Sequence, residues 1–205
     1  MNVGASAPEE YGDYFAWGET KPYYTKGHSQ DEECTSWREG KEAGYRWASY
    51  FDSVDGTMNN FEIYANDKET KLLPEHDAAI ANWGGKWRMP TESELGELIT
   101  ECDWAWTEEN GVGCFKVTSK VNGNYIYVPV SGVRSANSFL TCLDFIDGGA
   151  YISLTGSYWS SALSSESYNA LFLEFSYIPE ISRVGTPYVT SANRCQGRSV
   201  RAVCP

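Results

Sequence analysis

The sequence predicts an α+β domain, loop-rich, with two helices early and antiparallel β-structure late. Helical periodicity is confined to the stretch between Pro74 and Cys102, a period-two pattern with two Asn-Gly turns follows it, and aromatic residues make up 15% of the chain beside nineteen Gly. A length of 205 residues fits one domain, residues 1–205, with a single core and long loops.

Residues 1–26 read as strand and turn, with Tyr14, Phe15 and Trp17 between Gly12 and Gly18 and Pro22 closing the run. Residues 27–75 carry mixed charge and few aliphatics, which predicts a long irregular excursion tied down by Trp37, Tyr45, Trp47, Tyr50, Phe61 and Tyr64. From Pro74 to Trp83, the residues His76, Ala79, Ile80 and Trp83 fall on one helical face, and Gly84-Gly85 supplies a stop. A second helix from Thr91 to about Cys102 is marked by a Thr91/Glu94 capping box after Pro90 and should bury Leu95, Leu98 and Ile99. Asn110-Gly111 then joins Trp104–Trp106 to Cys114–Thr118 as a hairpin, and Asn122-Gly123 joins Val121 to Tyr125–Val130 as another. Further strands are predicted at Gly156–Ser161, Ala170–Ser176 and Ser199–Val203.

The net charge of −12, from 28 acids against 16 bases, argues against nucleic acid as a partner, because phosphate binding needs clustered Lys and Arg. No apolar run approaches the length that spans a bilayer, so membrane insertion is not expected. Met1–Ala5 lacks the parts of a signal peptide, which places any export signal or anchor outside this chain. Eight Trp and fourteen Tyr in a Gly-rich chain suggest an extracellular or cell-surface setting. The six cysteines, Cys34, Cys102, Cys114, Cys142, Cys195 and Cys204, form no C-x-x-C, so they are read as disulfides or buried thiols; export favours at least one disulfide.

Four segments in order, Tyr14-Phe15-Ala16-Trp17-Gly18-Glu19, Asp77-Ala78-Ala79 with Trp83-Gly84-Gly85-Lys86-Trp87-Arg88-Met89-Pro90-Thr91, Tyr158-Trp159-Ser160-Ser161, and Gly197-Arg198-Ser199-Val200-Arg201-Ala202-Val203, resemble the Fibrobacter succinogenes major paralogous domain family, common in gut Bacteroidetes. The resemblance spans nearly the whole chain. It implies a C-type-lectin-like fold, related to formylglycine-generating enzymes and to the variable proteins of diversity-generating retroelements, and it implies no activity of its own. Family members carry a further strand before the Asn-Val-Gly-Ala segment, and the family's paired acids before Ala-Ala stand here as His76-Asp77. Because such domains tie the end of a helix to the last strand, the resemblance also implies a Cys102–Cys204 disulfide.

The block Trp83–Arg88 could serve as a sugar platform, but a helix stop followed by core Trp residues already explains its spacing. His28 and His76 have no second ligand at zinc spacing, so no metal site is expected. No cofactor is expected either. Calcium stays open, with Asp144, Asp147, Glu174 and Glu180 as oxygen donors, although the Glu-Pro-Asn and Trp-Asn-Asp signatures of calcium-dependent lectins are absent. A formylglycine-generating-type oxidase would need a close pair of reactive cysteines, and Cys195 and Cys204 match poorly, so the chain is not read as an enzyme.

The leading expectation is a non-catalytic extracellular recognition domain that binds a protein or glycan ligand through C-terminal loops. The alternative is a structural module of a surface or fibre assembly; the oligomeric state is not legible. Tyr151–Cys195 holds ten Ser and five Tyr, and no Lys follows Lys120, which is the composition of an adaptable binding surface. In the retroelement-diversified relatives this same segment carries the ligand-facing positions. Ser164, Ser165, Glu166, Tyr168, Tyr177, Glu180, Arg183, Tyr188 and Asn193 are therefore expected to lie exposed on one face, between strands that bury Trp159, Leu171, Leu173 and Val200.

Overall fold

The computed structural model describes residues 1–22, 65–66, 71–135, 138–140, 142–146, 149–166, 169–194 and 196–204. Most of the 27–75 excursion, together with Tyr168 and Cys195, lies outside them. The strands in chain order are β1 (Tyr14–Phe15), β2 (Ala65–Asn66), β3 (Lys71–Leu72), β4 (Cys102–Glu109), β5 (Val112–Ser119), β6 (Tyr125–Pro129), β7 (Val133–Ser135), β8 (Ser138–Leu140), β9 (Cys142–Ile146), β10 (Gly149–Leu163), β11 (Asn169–Ile178), β12 (Arg183–Val184), β13 (Tyr188–Asn193) and β14 (Arg198–Ser199). Two α-helices, α1 (Ala78–Trp83) and α2 (Glu92–Thr100), lie between β3 and β4. The described residues are thus α+β, mostly strand, with the helices early and antiparallel ladders late.

The long β10–β11 hairpin is the axis of the fold, and β13 extends it on the far side of β11. Its residues alternate, as a pleated strand requires, and both faces are covered. Trp159, Ala170 and Phe172 point into one core with Phe15, Trp17, Ala78, Ala79, Met89 and Val200. Tyr158, Leu173 and Phe175 point the other way, into a second core with Leu95, Phe115, Val117 and Val128 from α2 and the β4–β5–β6 sheet. Gly156 is required there: a Cβ at this position would sit 2.0 Å from the Phe175 ring. The two ends of the described chain meet at the edge of this hairpin, where β1 pairs antiparallel with β14 and Tyr158 faces Ser199.

Several expectations are corrected. The single helix over Pro74–Trp83 is a 3-10 turn at Pro74–His76 followed by α1, because Asp77 breaks into extended backbone and caps α1 itself. In α2 the capping box forms as expected, but only Leu95 is buried; Leu98 and Ile99 are half-buried against the second core. The helix ends at Thr100, and Cys102 opens β4. Val121 belongs to the turn rather than to a strand. Leu171 is half-buried, whereas Trp159, Leu173 and Val200 are in the cores.

The Cys102–Cys204 disulfide is not made. Cys102 sits at the C-terminal end of α2, while Cys204 follows Val203, which bridges to Arg88 just ahead of the N-terminal end of that helix. Nine helical residues hold those ends about 13 Å apart, well beyond the roughly 7 Å between Cα atoms that a disulfide tolerates. Cys102 is a free thiol.

Candidate functional site

The four segments that carry the resemblance converge, and their polar side chains bond to one another and to the adjoining chain. Trp17 donates its indole N–H to Ser160 O at 2.8 Å, and Trp159 donates its own to Phe15 O at 2.8 Å, so the first and third segments lock reciprocally. Tyr14 reaches the connection after β6 and Tyr158 the end of β6 itself, donating their hydroxyls to Ser131 O and Pro129 O. Ser161 N–H donates to Pro90 O, and Arg88 exchanges backbone hydrogen bonds with Val203, which brings in the second and fourth segments. The Arg198 guanidinium lies 4.5 Å from the Trp159 ring centre and Arg194 lies 4.7 Å from that of Trp17.

The second segment is occupied in the same way. Asp77 accepts from Ala79 and Ile80 N–H through one carboxylate oxygen and from Met89 N–H at 2.9 Å through the other, so this lone acid straps α1 to the Arg88–Pro90 segment. Arg88 makes a bidentate pair with Glu94, both contacts at 2.7 Å, and a further bond to Met89 O. Its donor fork is therefore not turned toward a ligand. Trp83 packs on the first core, and Trp87 stands against it edge-on with its own ring exposed.

Arg88, helped by Thr91, holds the Glu94 carboxyl down at about 2. A carboxyl depressed in the folded state stabilises it above the ordinary value near 4.5, and that contribution is lost as pH falls toward the folded value. Glu94→Gln should therefore lower stability at neutral pH, and urea midpoints of the two proteins should converge as pH drops through that window. A gap that stays constant with pH would show that the ion pair contributes nothing.

Among the described residues, no group of three or more His, Cys, Asp or Glu is placed to hold a metal ion, and no helix is long and apolar enough to cross a membrane. Of the calcium candidates, Asp144 and Asp147 have no described side chain, Glu180 is exposed on a turn, and Glu174 accepts the Tyr188 hydroxyl. His76 is half-buried beside α1, and His28 lies outside the described residues. Burial raises the Cys102 thiol and pushes the Cys114 thiol up to about 11, which leaves both protonated at neutral pH.

The expected C-terminal surface is divided into two ends and two faces. Ser164, Ser165 and Glu166 form the tip between β10 and β11, fastened by Asn169 Nδ2 to Glu166 at 2.8 Å. Half-buried Asn193 pairs beside Asn169 at this same end. Tyr177, Glu180 and Arg183 lie at the other end of β11, about nine residues of extended chain away, or roughly 30 Å. Tyr188, opposite Glu174, points to the reverse face from Tyr177.

The end with Tyr177 exposes several apolar side chains. Tyr177 is not freely exposed as expected: its ring stacks on Trp106 with centres 4.0 Å apart and planes 13° from parallel. The register sets Tyr177 opposite Leu154 on one side and Val184 on the other. Ile152, two residues before Leu154 on the same face, lies level with the Pro179–Ile181 turn, which packs on β10. Ile152, Ile181 and Val184 are all exposed and Glu180 lies in the same turn, whereas Arg183, opposite Ile178, points to the reverse face from Tyr177. The turn is rigid. Ser182 takes the left-handed φ of 48°, Gly185 N–H donates to Ser176 O at 2.9 Å, and a Cβ on Gly185 would come within 2.3 Å of Ser176 Oγ. Ile152, Ile181, Val184 and Trp106 were missed in the sequence. Their signal was weak, since the strand was recognisable only from Gly156 and Ile152 could not be assigned a face.

A shallow open groove also runs between α2 and Val189, lined by Glu92, Ser93, Glu97, Ile99 and Thr100, and it is too open to enclose a small molecule. No family model, curated protein or solved structure matches the chain.

Proposed function

We propose that this chain is a non-catalytic recognition domain, exported or displayed at a cell surface on a C-type-lectin-like frame, that captures a protein ligand at the Tyr177 end of its central hairpin. One observation carries this reading: Ile152 and Val184 are held in the open on the face of the stacked Tyr177–Trp106 pair, with exposed Ile181 and Glu180 in the adjoining turn. An apolar centre with a polar border is the composition of protein interfaces, and a turn already closed by backbone hydrogen bonds has less entropy to lose on binding. A glycan is less well suited, because sugars stack on open aromatic faces and Trp106 covers one face of Tyr177.

The order of elements, helices early and antiparallel ladders late, agrees with the frame that the resemblance implies. The four resemblance segments serve to build that frame, which leaves recognition to residues outside them. A screen of the purified chain against surface proteins and glycans tests the reading. The expected result is capture of a protein that falls at least tenfold in Val184→Ser, with unfolding midpoint unchanged. Capture of glycans alone would overturn the assignment of ligand class.

A further inference from the structure

We infer that β6 is the docking edge for a second copy of this chain, pairing antiparallel with its own counterpart about a two-fold axis through Ile126. This inference is independent of the recognition surface. Ser119 N–H donates to Asn124 O and Val130 N–H to Gly113 O, which fixes the phase of the β5–β6 ladder. Counting inward, Val117–Ile126 and Phe115–Val128 are the hydrogen-bonded pairs, while Thr118–Tyr125, Lys116–Tyr127 and Cys114–Pro129 are the non-hydrogen-bonded ones. The backbone N–H and C=O of Tyr125 and Tyr127 therefore point away from β5. Among the described residues β6 pairs with β5 alone. The usable edge stops at Pro129, which has no N–H and whose carbonyl accepts the Tyr158 hydroxyl at 2.6 Å.

What remains is Tyr125-Ile126-Tyr127, a palindrome whose two outward-facing residues flank its centre. An axis through Ile126 sets each Tyr125 against the partner's Tyr127 as a hydrogen-bonded pair and brings the two Ile126 side chains together in the closer, non-hydrogen-bonded spacing. The side chains around this edge are complementary under the same axis. Lys116 Nζ lies 4.1 Å from the Tyr125 ring centre, and Glu109 lies beside the Tyr127 hydroxyl, so each copy's basic side meets the other's acidic side. Ile126 is 39% exposed although its cross-strand neighbours Val117 and Trp104 face the second core. The opposite edge of this sheet behaves differently: β4 carries Asp103, Glu108 and Glu109, the kind of charge that blunts an open edge, whereas β6 carries none.

Covalent trapping tests the register. Non-hydrogen-bonded antiparallel partners stand about 4.5 Å apart between Cα atoms, within disulfide reach. Ile126→Cys should form a disulfide-linked dimer under mild oxidation that is absent from the unsubstituted chain, while Val121→Cys, 81% exposed at the neighbouring turn, should not. Sedimentation of the unsubstituted chain should show a concentration-dependent dimer that Tyr125→Pro, which removes an outward N–H and the ring beside it but no bond of the β5–β6 ladder, abolishes with unchanged circular dichroism. An Ile126→Cys protein that stays monomeric on oxidation, equal cross-linking by Val121→Cys, or a dimer that survives in folded Tyr125→Pro would each overturn the inference.

Discussion

Trp159→Ala should lower the unfolding free energy by about 3–5 kcal/mol, the largest effect expected of any single truncation in this chain. Trp159 is fully buried, packs edge-on against Phe172 with ring centres 5.8 Å apart, and lies under Arg198. Truncation would leave a cavity at the join of β1, β10 and β14 and strip the donor from Phe15 O. Trp159→Phe separates the contributions: it keeps much of the volume but leaves that carbonyl unpaired, which should cost about 1–3 kcal/mol. Urea unfolding checks both. Domains of ordinary stability hold about 5–15 kcal/mol, so the alanine variant should be visibly less cooperative or unfolded at moderate temperature. A loss under about 1 kcal/mol for Trp159→Ala would show that the reciprocal indole lock does not hold the sheet edge.

Asp77→Ala should cost about 2–4 kcal/mol, from loss of the α1 cap together with a buried amide left without an acceptor. The measurement is paired. Stability falls, and the Met89 amide, which now ends on the Asp77 carboxylate at 2.9 Å, should exchange faster with solvent by at least tenfold relative to neighbours in α2. Asp77→Asn preserves size and an acceptor but turns a donor toward either Met89 or the helix, so it should fall between the two. If the Met89 amide exchanges at the same rate in Asp77→Ala, the strap between α1 and the following segment is not made by this residue.

The sequence was informative wherever the chemistry is local. The Thr91–Glu94 box forms with both of its reciprocal bonds, and the Asn110-Gly111 turn adopts the two positive φ angles, 52° and 80°, that its residue types favour. Periodicity located the face of α2 but not how far its neighbours extend over it, which is why Leu98 and Ile99 are only half-buried. The role of the aromatic segments was not legible for a different reason. Trp17 and Trp159 find their acceptors on backbone carbonyls more than a hundred residues away, and no local pattern signals such a partner. The split of the C-terminal residues into two ends has the same origin. The segment is one continuous run in sequence, but the ladder lays it out along β11 and turns alternate residues to opposite faces. The Cys102–Cys204 expectation failed because the resemblance located both cysteines by element and not by which end of α2 each adjoins.

The central claim is that the motif-rich segments build the frame and that recognition belongs to the Tyr177 end of the hairpin. Trp87 and the pair Ile152/Val184 separate these directly, since Trp87 is the exposed aromatic of the resemblance block and the pair lies outside all four segments. Affinity for the ligand identified by the binding screen should be measured for Trp87→Ala and for Ile152→Ser with Val184→Ser, each checked for an unchanged unfolding midpoint. The expected result is near-normal affinity for the first and a loss of about 2 kcal/mol or more, roughly thirtyfold, for the second. Loss of capture in Trp87→Ala with full binding by the doubly substituted protein would contradict the account and return the site to the Trp83–Arg88 block.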